Sequence, residues 1–188
     1  MEKFKPNPHL IGERVILSKR QEAHDVDVWE AITESRTHLR QYLFWVDATK
    51  DFNDVIKATH RFNERWEEDD DWCYNLYDGQ THTLLGCIAV HNISFINQSV
   101  ELGYWLRKSK LKQGYMTEAI HVLEKELFDH GIHRIEICCD INNKPSSNTA
   151  LKAGYKLESI AKEAMYHYSG LHDKETYVKF SPYPIKGF

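Results

Sequence analysis

Apolar and polar positions follow two different periods along the chain. Between Arg14 and Arg20, "RVILSKR" alternates, as a strand with one buried face does. The period then changes. In "EAHDVDVWEAITESRTHLRQYLFWV", Val26, Trp29, Ile32 and Leu39 recur at near-helical spacing. They predict one helix, with a break expected between Thr33 and Thr37. "FNDVIKATHRFNERWEE" predicts a second, with Val55, Ala58, Phe62 and Trp66 on one stripe. Asp51 is placed to cap it.

From Trp72 the period returns to two. "WCYNLY", "TLLGCIAVHNI" and "SVELGYWLR" read as consecutive antiparallel strands, joined by "DGQTH" and "SFINQ". A helix from Tyr115 to His130 follows, with Met116, Ala119, Ile120, Leu123 and Leu127 on one face and Gly131 at its end. "HRIEICCDI" predicts a strand, and "SSNTALKA" a short helix stopped by Gly154. "YKLESIAKEAMYHY", a turn at "SGLHDK" and "ETYVKFS" form a closing hairpin. The order βααβββαβαββ is that of an α+β fold with a mixed sheet of about seven strands and about four helices. The strand–helix–strand step from Val100 to Asp140 should be parallel and right-handed. No repeat or linker divides the chain, so one domain over residues 1–188 is expected.

Composition narrows the function. At 41% hydrophobic the chain can bury a core, and its formal charge of −4 argues against nucleic acid as the main partner. The N-terminus lacks an apolar signal core, and the run from Leu84 to Val90 is far short of the ~20 residues that cross a bilayer. No membrane partner and a cytoplasmic location are expected. Cys73, Cys87, Cys138 and Cys139 include no CxxC pair and read as free thiols. The histidines show no zinc spacing, and His167 and His172 flank a turn at Gly170, so no metal is expected.

"KLKQGYMTEA", from Lys110 to Ala119, joins a strand to a helix. A helix start offers unpaired N–H groups to an anion. Gly114 suits a sharp turn, Thr117 adds a hydroxyl, and Lys108, Lys110 and Lys112 can screen negative charge. No GK[ST] and no three-glycine fingerprint is present, so neither familiar nucleotide loop applies.

A longer stretch, "VELGYWLRKSKLKQGYMTEAI", resembles the coenzyme-binding region of GNAT-fold acyl-CoA N-acyltransferases, of the RimJ/RimL type. Glu101 to Leu106, then Gly114, Thr117, Glu118 and Ala119, match that pattern. "DINNKPSSNTALKAGYKLE" resembles the N-x-x-S block, with Asn143, Ser146, Gly154, Tyr155 and Glu158 at its spacing. The resemblance runs from about Arg14 to Phe180. It departs at Leu111, at Lys112 and at Met116, where the family has Gln or Arg, a glycine and a small residue. A methionine can swing aside, so phosphate binding is expected to persist, somewhat weakened.

The resemblance implies a GNAT fold whose central parallel strands part like a V, and transfer of acetyl from acetyl-CoA to an amine. It implies coenzyme contacts from the backbone of Tyr104, Trp105 and Leu106, from the amides of Lys112, Gln113, Gly114, Tyr115, Met116 and Thr117, and from Asn143. By the same resemblance, Ser146 protonates the leaving thiol. Glu101 is the first candidate for general base, with Glu163 and His91 as alternatives. Glu163 stands two residues before Met165, where some members carry a glutamate, and that spacing puts both on one strand face. The acceptor is a protein N-terminus, such as that of a ribosomal protein, or a small amine: a polyamine, amino sugar or aminoglycoside. Leu111, Met116 and Met165 motivate a further alternative, a coenzyme-binding module without turnover. The family often forms homodimers.

Overall fold

The apolar stripe of one helix sets the main core. In the computed structural model, which describes residues 3–184, Met116, Ala119, Ile120, Leu123 and Leu127 are all buried on α4 (Tyr115–Asp129). They pack with Leu17, Tyr74, Ile88 and Leu102 from the sheet. Burying each large aliphatic side chain stabilises by ~1.5–3 kcal/mol, so this face fixes the helix against the sheet.

The strands are β1 (His9–Ile11), β2 (Val15–Lys19), β3 (Trp72–Asp78), β4 (Leu84–Ser94), β5 (Ser99–Leu106), β6 (Arg134–Asp140), β7 (Lys156–His167) and β8 (Gly170–Phe180). They form one sheet in the order β1-β2-β3-β4-β5-β6-β8-β7. Among the described residues, β5 and β6 are the one parallel pair. Besides α4 the helices are α1 (Asp25–Leu39), α2 (Trp45–Ala48), α3 (Phe52–Glu67) and α5 (Lys144–Lys152). On the side of α1 and α3, Val28, Ala31, Ile32 and Val55 pack with Tyr77 and Leu84.

Among the described residues there are eight strands and five helices, in keeping with the about seven and about four expected. The added strand, β1, has three residues, and the added helix, α2, has four. Both are too short to show a period. The break expected at Thr33–Thr37 lies further on, because α1 runs unbroken to Leu39 before α2 begins. Its buried stripe is Val28, Ala31, Ile32, Ser35 and Leu39, while Val26 is 56% exposed. Ser35 holds its place in that stripe by accepting the Lys108 N–H at 2.8 Å. The Asp51 cap is present as a reciprocal box with Asp54. The closing hairpin turns between His167 and Gly170, so β8 takes up most of the segment expected to be turn.

Candidate active site

The parallel pair supplies the site's geometry. β5 and β6 are paired only at Ser99–Arg134, Val100–Ile135 and Glu101–Glu136. β5 continues to Leu106 against β4 alone. Beyond Glu101 the edge of β5 that faces β6 is therefore unpaired, and the strands part. The fork appears where the sequence places it, with Tyr104, Trp105 and Leu106 on the open edge.

Past the fork, a 3₁₀ turn at Lys108–Lys110 leads to Gly114, whose φ of 84° is the left-handed conformation that favours glycine. The first bond of the α4 turn runs from the Glu118 N–H to the Gly114 carbonyl at 3.1 Å. The N–H groups of Tyr115, Met116 and Thr117 precede that bond at the helix's positive end. Arg14 clamps the turn. It donates to the Gln113 carbonyl at 3.2 Å and to Glu118 Oε2 at 2.8 Å, and lies over the Tyr115 ring. The Tyr115 hydroxyl donates to Asp78 at 2.8 Å. The Thr81 N–H, that hydroxyl and the Gln80 N–H hold the Asp78 carboxyl down at about 2. Lys112 is exposed, also at positive φ. Met116 is 4% exposed and belongs to the core, so its bulk does not stand free over the loop.

Across the fork, Asn143 caps α5, its side chain accepting the Ser146 N–H at 3.3 Å. Ser146 Oγ lies 3.2 Å from the Tyr104 hydroxyl. Burial pushes the Tyr104 phenol well up, more than its bond with Ser146 lowers it, so it remains a donor. Under α5, buried Glu175 accepts from Ser147 at 2.6 Å and from Tyr177 at 2.9 Å, tying the helix start to β8.

Two cavities open along β5. One, of about 110 Å³, is bordered by Leu106, Leu111, Met116, Asn143, Ser146 and Thr149. The other, of about 510 Å³, lies against α1 to α3 and is bordered by Arg20, Trp45, Arg61, Phe62, His91 and Gly103. Leu43, Tyr104 and Trp105 border both.

Residues 14–156 match the model of the acetyltransferase (GNAT) domain. The chain belongs to the GNAT acetyltransferase family. The ribosomal-protein-serine acetyltransferase of Escherichia coli (strain K12) is 25% identical over 173 residues, 90% of this chain and 94% of that one. RimL, described as a ribosomal L7/L12 alpha-N-protein acetyltransferase in complex with coenzyme A, superposes with a TM-score of 0.86 at 22% identity, covering 92% and 97% of the two chains. The microcin C7 self immunity acetyltransferase MccE, in complex with acetyl-CoA and AMP, gives 0.85 at 21% identity over 89% and 93%.

This GNAT acetyltransferase departs from the sequence expectations in its carboxylates. Glu101 is on β5 opposite His91, but its Oε2 accepts from Asn92 at 2.8 Å and it borders neither cavity. Glu163 is exposed at a φ of 49°, inside an irregularity of β7 between Ala161 and Met165. That bulge breaks the alternation on which its shared face with Met165 depended. Three members of the acidic run from Glu67 to Asp71 are paired. Glu67 pairs with Lys5 and Lys19, Asp70 with Arg65, and Asp71 turns inward.

Asp71 is the residue that sequence reasoning missed. It is 1% exposed, its Oδ2 lies 2.9 Å from Arg65, and its Oδ1 bonds His91 Nδ1. An aspartate at the end of an acidic helix terminus reads as solvated, and the only hint was its position before the buried Trp72. Cys73 and Cys87 are free, with sulfurs 3.3 Å apart. His167 and His172 stack at 4.4 Å, and no cluster of three metal-ligating side chains occurs among the described residues. No described helix is long and apolar enough to cross a membrane.

Proposed function

We propose that this acetyltransferase moves acetyl from acetyl-CoA onto the α-amino group of a protein N-terminus, with a cytoplasmic ribosomal protein as acceptor, by direct attack in a ternary complex. The observation that carries this reading is the meeting of two cavities at Tyr104 and Trp105, where β5 leaves β6. The names of the Escherichia coli relative and of RimL support the acceptor class.

On the smaller side, the amides from Lys112 to Thr117 would receive the pyrophosphate, favoured by the helix dipole. The open edge at Tyr104, Trp105 and Leu106 would pair with the pantetheine arm, and Asn143 would add its side-chain amide. One N–H of that edge would polarise the thioester carbonyl, worth ~3–4 kcal/mol in a dry site. Ser146, backed by the Tyr104 hydroxyl, would meet the sulfur as it gains charge. An α-amine, with a pKa of ~7.7–8.0, needs little help to become neutral, which suits a site without a strong base of its own on β5.

The test is labelled acetyl-CoA with a bacterial ribosomal-protein fraction, followed by mass spectrometry of the labelled band. Label on an N-terminal amine is expected. Label confined to lysine side chains, or none while coenzyme binds, overturns the acceptor assignment. The small-amine alternative weakens for polyamines, because Arg20, Lys57 and Arg61 border the larger cavity against Asp54 and repel a polycation. Coenzyme release across spermidine, amino sugars and N-terminal peptides ranks the acceptors.

A further inference from the structure

We infer that His91, oriented by Asp71, is the general base that takes the proton from the acceptor amine. This rests on the acetyl-transfer reading above. His91 is on β4 directly opposite Glu101 and borders the larger cavity. Its ring leans over Gly103: a Cβ added there would stand 3.0 Å from His91 Nε2. Gly103 immediately precedes Tyr104, where the two cavities join. The ring is thus on the acceptor side of the fork and next to it.

The pairing with Asp71 sets the chemistry. A buried carboxylate on Nδ1 holds the N–H at that nitrogen and leaves a lone pair on Nε2. Among the described residues Nε2 makes no hydrogen bond. Arg65 holds the other oxygen of Asp71, so the carboxylate is fixed from both sides. Asp71 is a positioning residue, acting on the substrate only through the ring.

The groups around the ring come from several elements. Asp71 follows α3, Arg65 and Arg61 are on α3, Cys73 is on β3, Glu101 on β5, and Arg20 follows β2. Burial opposes the charged imidazolium, but the bond and charge of Asp71, with Cys73 and Glu101, outweigh it and hold the His91 pKa above its ordinary value. A ring so held is a better proton acceptor than a free imidazole.

The step balances as follows. The acceptor enters as an ammonium ion, and Nε2 takes one proton. The freed lone pair attacks the thioester carbonyl carbon, forming the C–N bond. The C–S bond breaks with its electron pair on sulfur, and a second amine proton reaches sulfur through the Ser146 hydroxyl. The imidazolium then returns its proton to solvent.

The test uses the full chain with acetyl-CoA and a serine-led octapeptide, in wild type, His91→Gln, Asp71→Asn and Glu101→Gln. Calorimetry with coenzyme A shows that each variant is folded. His91→Gln should lose about 100-fold in kcat at pH 7 while coenzyme affinity stays within twofold. The wild-type kcat–pH profile should rise through an apparent pKa above ~6.5, the ordinary histidine value. That limb should vanish in His91→Gln and move to lower pH in Asp71→Asn, but persist in Glu101→Gln. If His91→Gln stays within threefold of wild type, or the limb vanishes in Glu101→Gln instead, the assignment is wrong. Nitrogen-15 histidine spectra need no acceptor: a neutral His91 protonated at Nδ1 is expected, and one protonated at Nε2 overturns the proposal. A wild type that binds coenzyme yet acetylates no peptide removes the proposed acceptor and leaves the spectra to decide His91.

Discussion

The two cavities that meet at Tyr104 are built from different materials. The smaller is walled by two short contiguous segments, from Tyr104 to Met116 and from Asn143 to Thr149, with one face closed by the end of α1 and the loop after it. The binding groups proposed for it are main-chain: the open edge of β5 and the amides at the start of α4. The larger is assembled from side chains on many elements, with Arg20 after β2, Trp45 on α2, Arg61 and Phe62 on α3, His91 on β4 and Gly103 on β5. A main-chain cradle tolerates side-chain change, so Leu111 and Met116 can replace the family's residues without removing a donor. A side-chain groove has no such tolerance, and under the proposed function its shape and charge would select the acceptor.

The largest effect should come from a residue of the larger cavity next to the place where the two meet. Gly103 borders the acceptor side, and any Cβ there meets the His91 ring. Gly103→Val should displace the ring, and a shift near 1 Å can cost about 100-fold in rate. Coenzyme affinity should hold within threefold, since β5 keeps its backbone. Steady-state rates and calorimetry on the same preparation check this. Equal losses in both would mean that the two sides are not separable at Gly103.

Gly114→Ala tests the opposite wall. At a φ of 84° an alanine is strained by ~1–2 kcal/mol, and the amide fan at α4 would shift to relieve it. The dissociation constant for coenzyme A should rise about tenfold, with kcat at saturating acetyl-CoA changed less than threefold. An unchanged constant would show that these amides do not carry the pyrophosphate.

The same contrast explains what the sequence made legible. Elements with a long period were readable: the α4 stripe, the Asp51 cap and the β3–β5 meander all stand where the pattern placed them. So was the parting of β5 from β6, because the segments on either side of it carry the family resemblance. The short elements β1 and α2 left no period to detect. The α1 stripe was misassigned because Val26 sits two residues before the buried run that begins at Val28, on the other face of the helix. Near the larger cavity, Asp71 and His91 are brought together by the β3–β4 pairing, which sets Trp72 against Val90. Nothing local to "EEDDDW" distinguishes the one aspartate that turns inward. The Tyr104–Ser146 contact was hidden for the same reason, since it spans 42 residues.

Ser146→Ala sharpens the donor side further. The leaving thiol has a pKa of ~8.5, so a proton donor helps only moderately, and a fall of about tenfold in kcat is expected. Because Asn143 caps α5, the substitution should leave Tm within ~1 °C, smaller than the shift that 1 kcal/mol would cause. Tyr104→Phe should give part of the same loss, and the double variant should lose less than the product of the two. A multiplicative loss would mean that the two hydroxyls act independently.

The smallest effect tests the support beneath that wall. Burial opposes the Glu175 charge, but bonds from Ser147 and Tyr177 and the nearby Lys144 outweigh it, so its pKa is lowered in the folded chain. Its contribution is therefore present above the ordinary carboxylate value and is lost as pH falls through the lower folded value. Glu175→Gln keeps the shape but weakens two charge-assisted bonds, at about 1 kcal/mol, or ~2–4 °C in Tm at pH 7. The variant should lose less stability than wild type on acidification, so the two melting curves should converge toward low pH. Such a variant should still turn over nearly as wild type, because α5 remains capped by Asn143. If turnover fell by more than tenfold while Tm held, Glu175 would belong to the reacting wall rather than to its foundation.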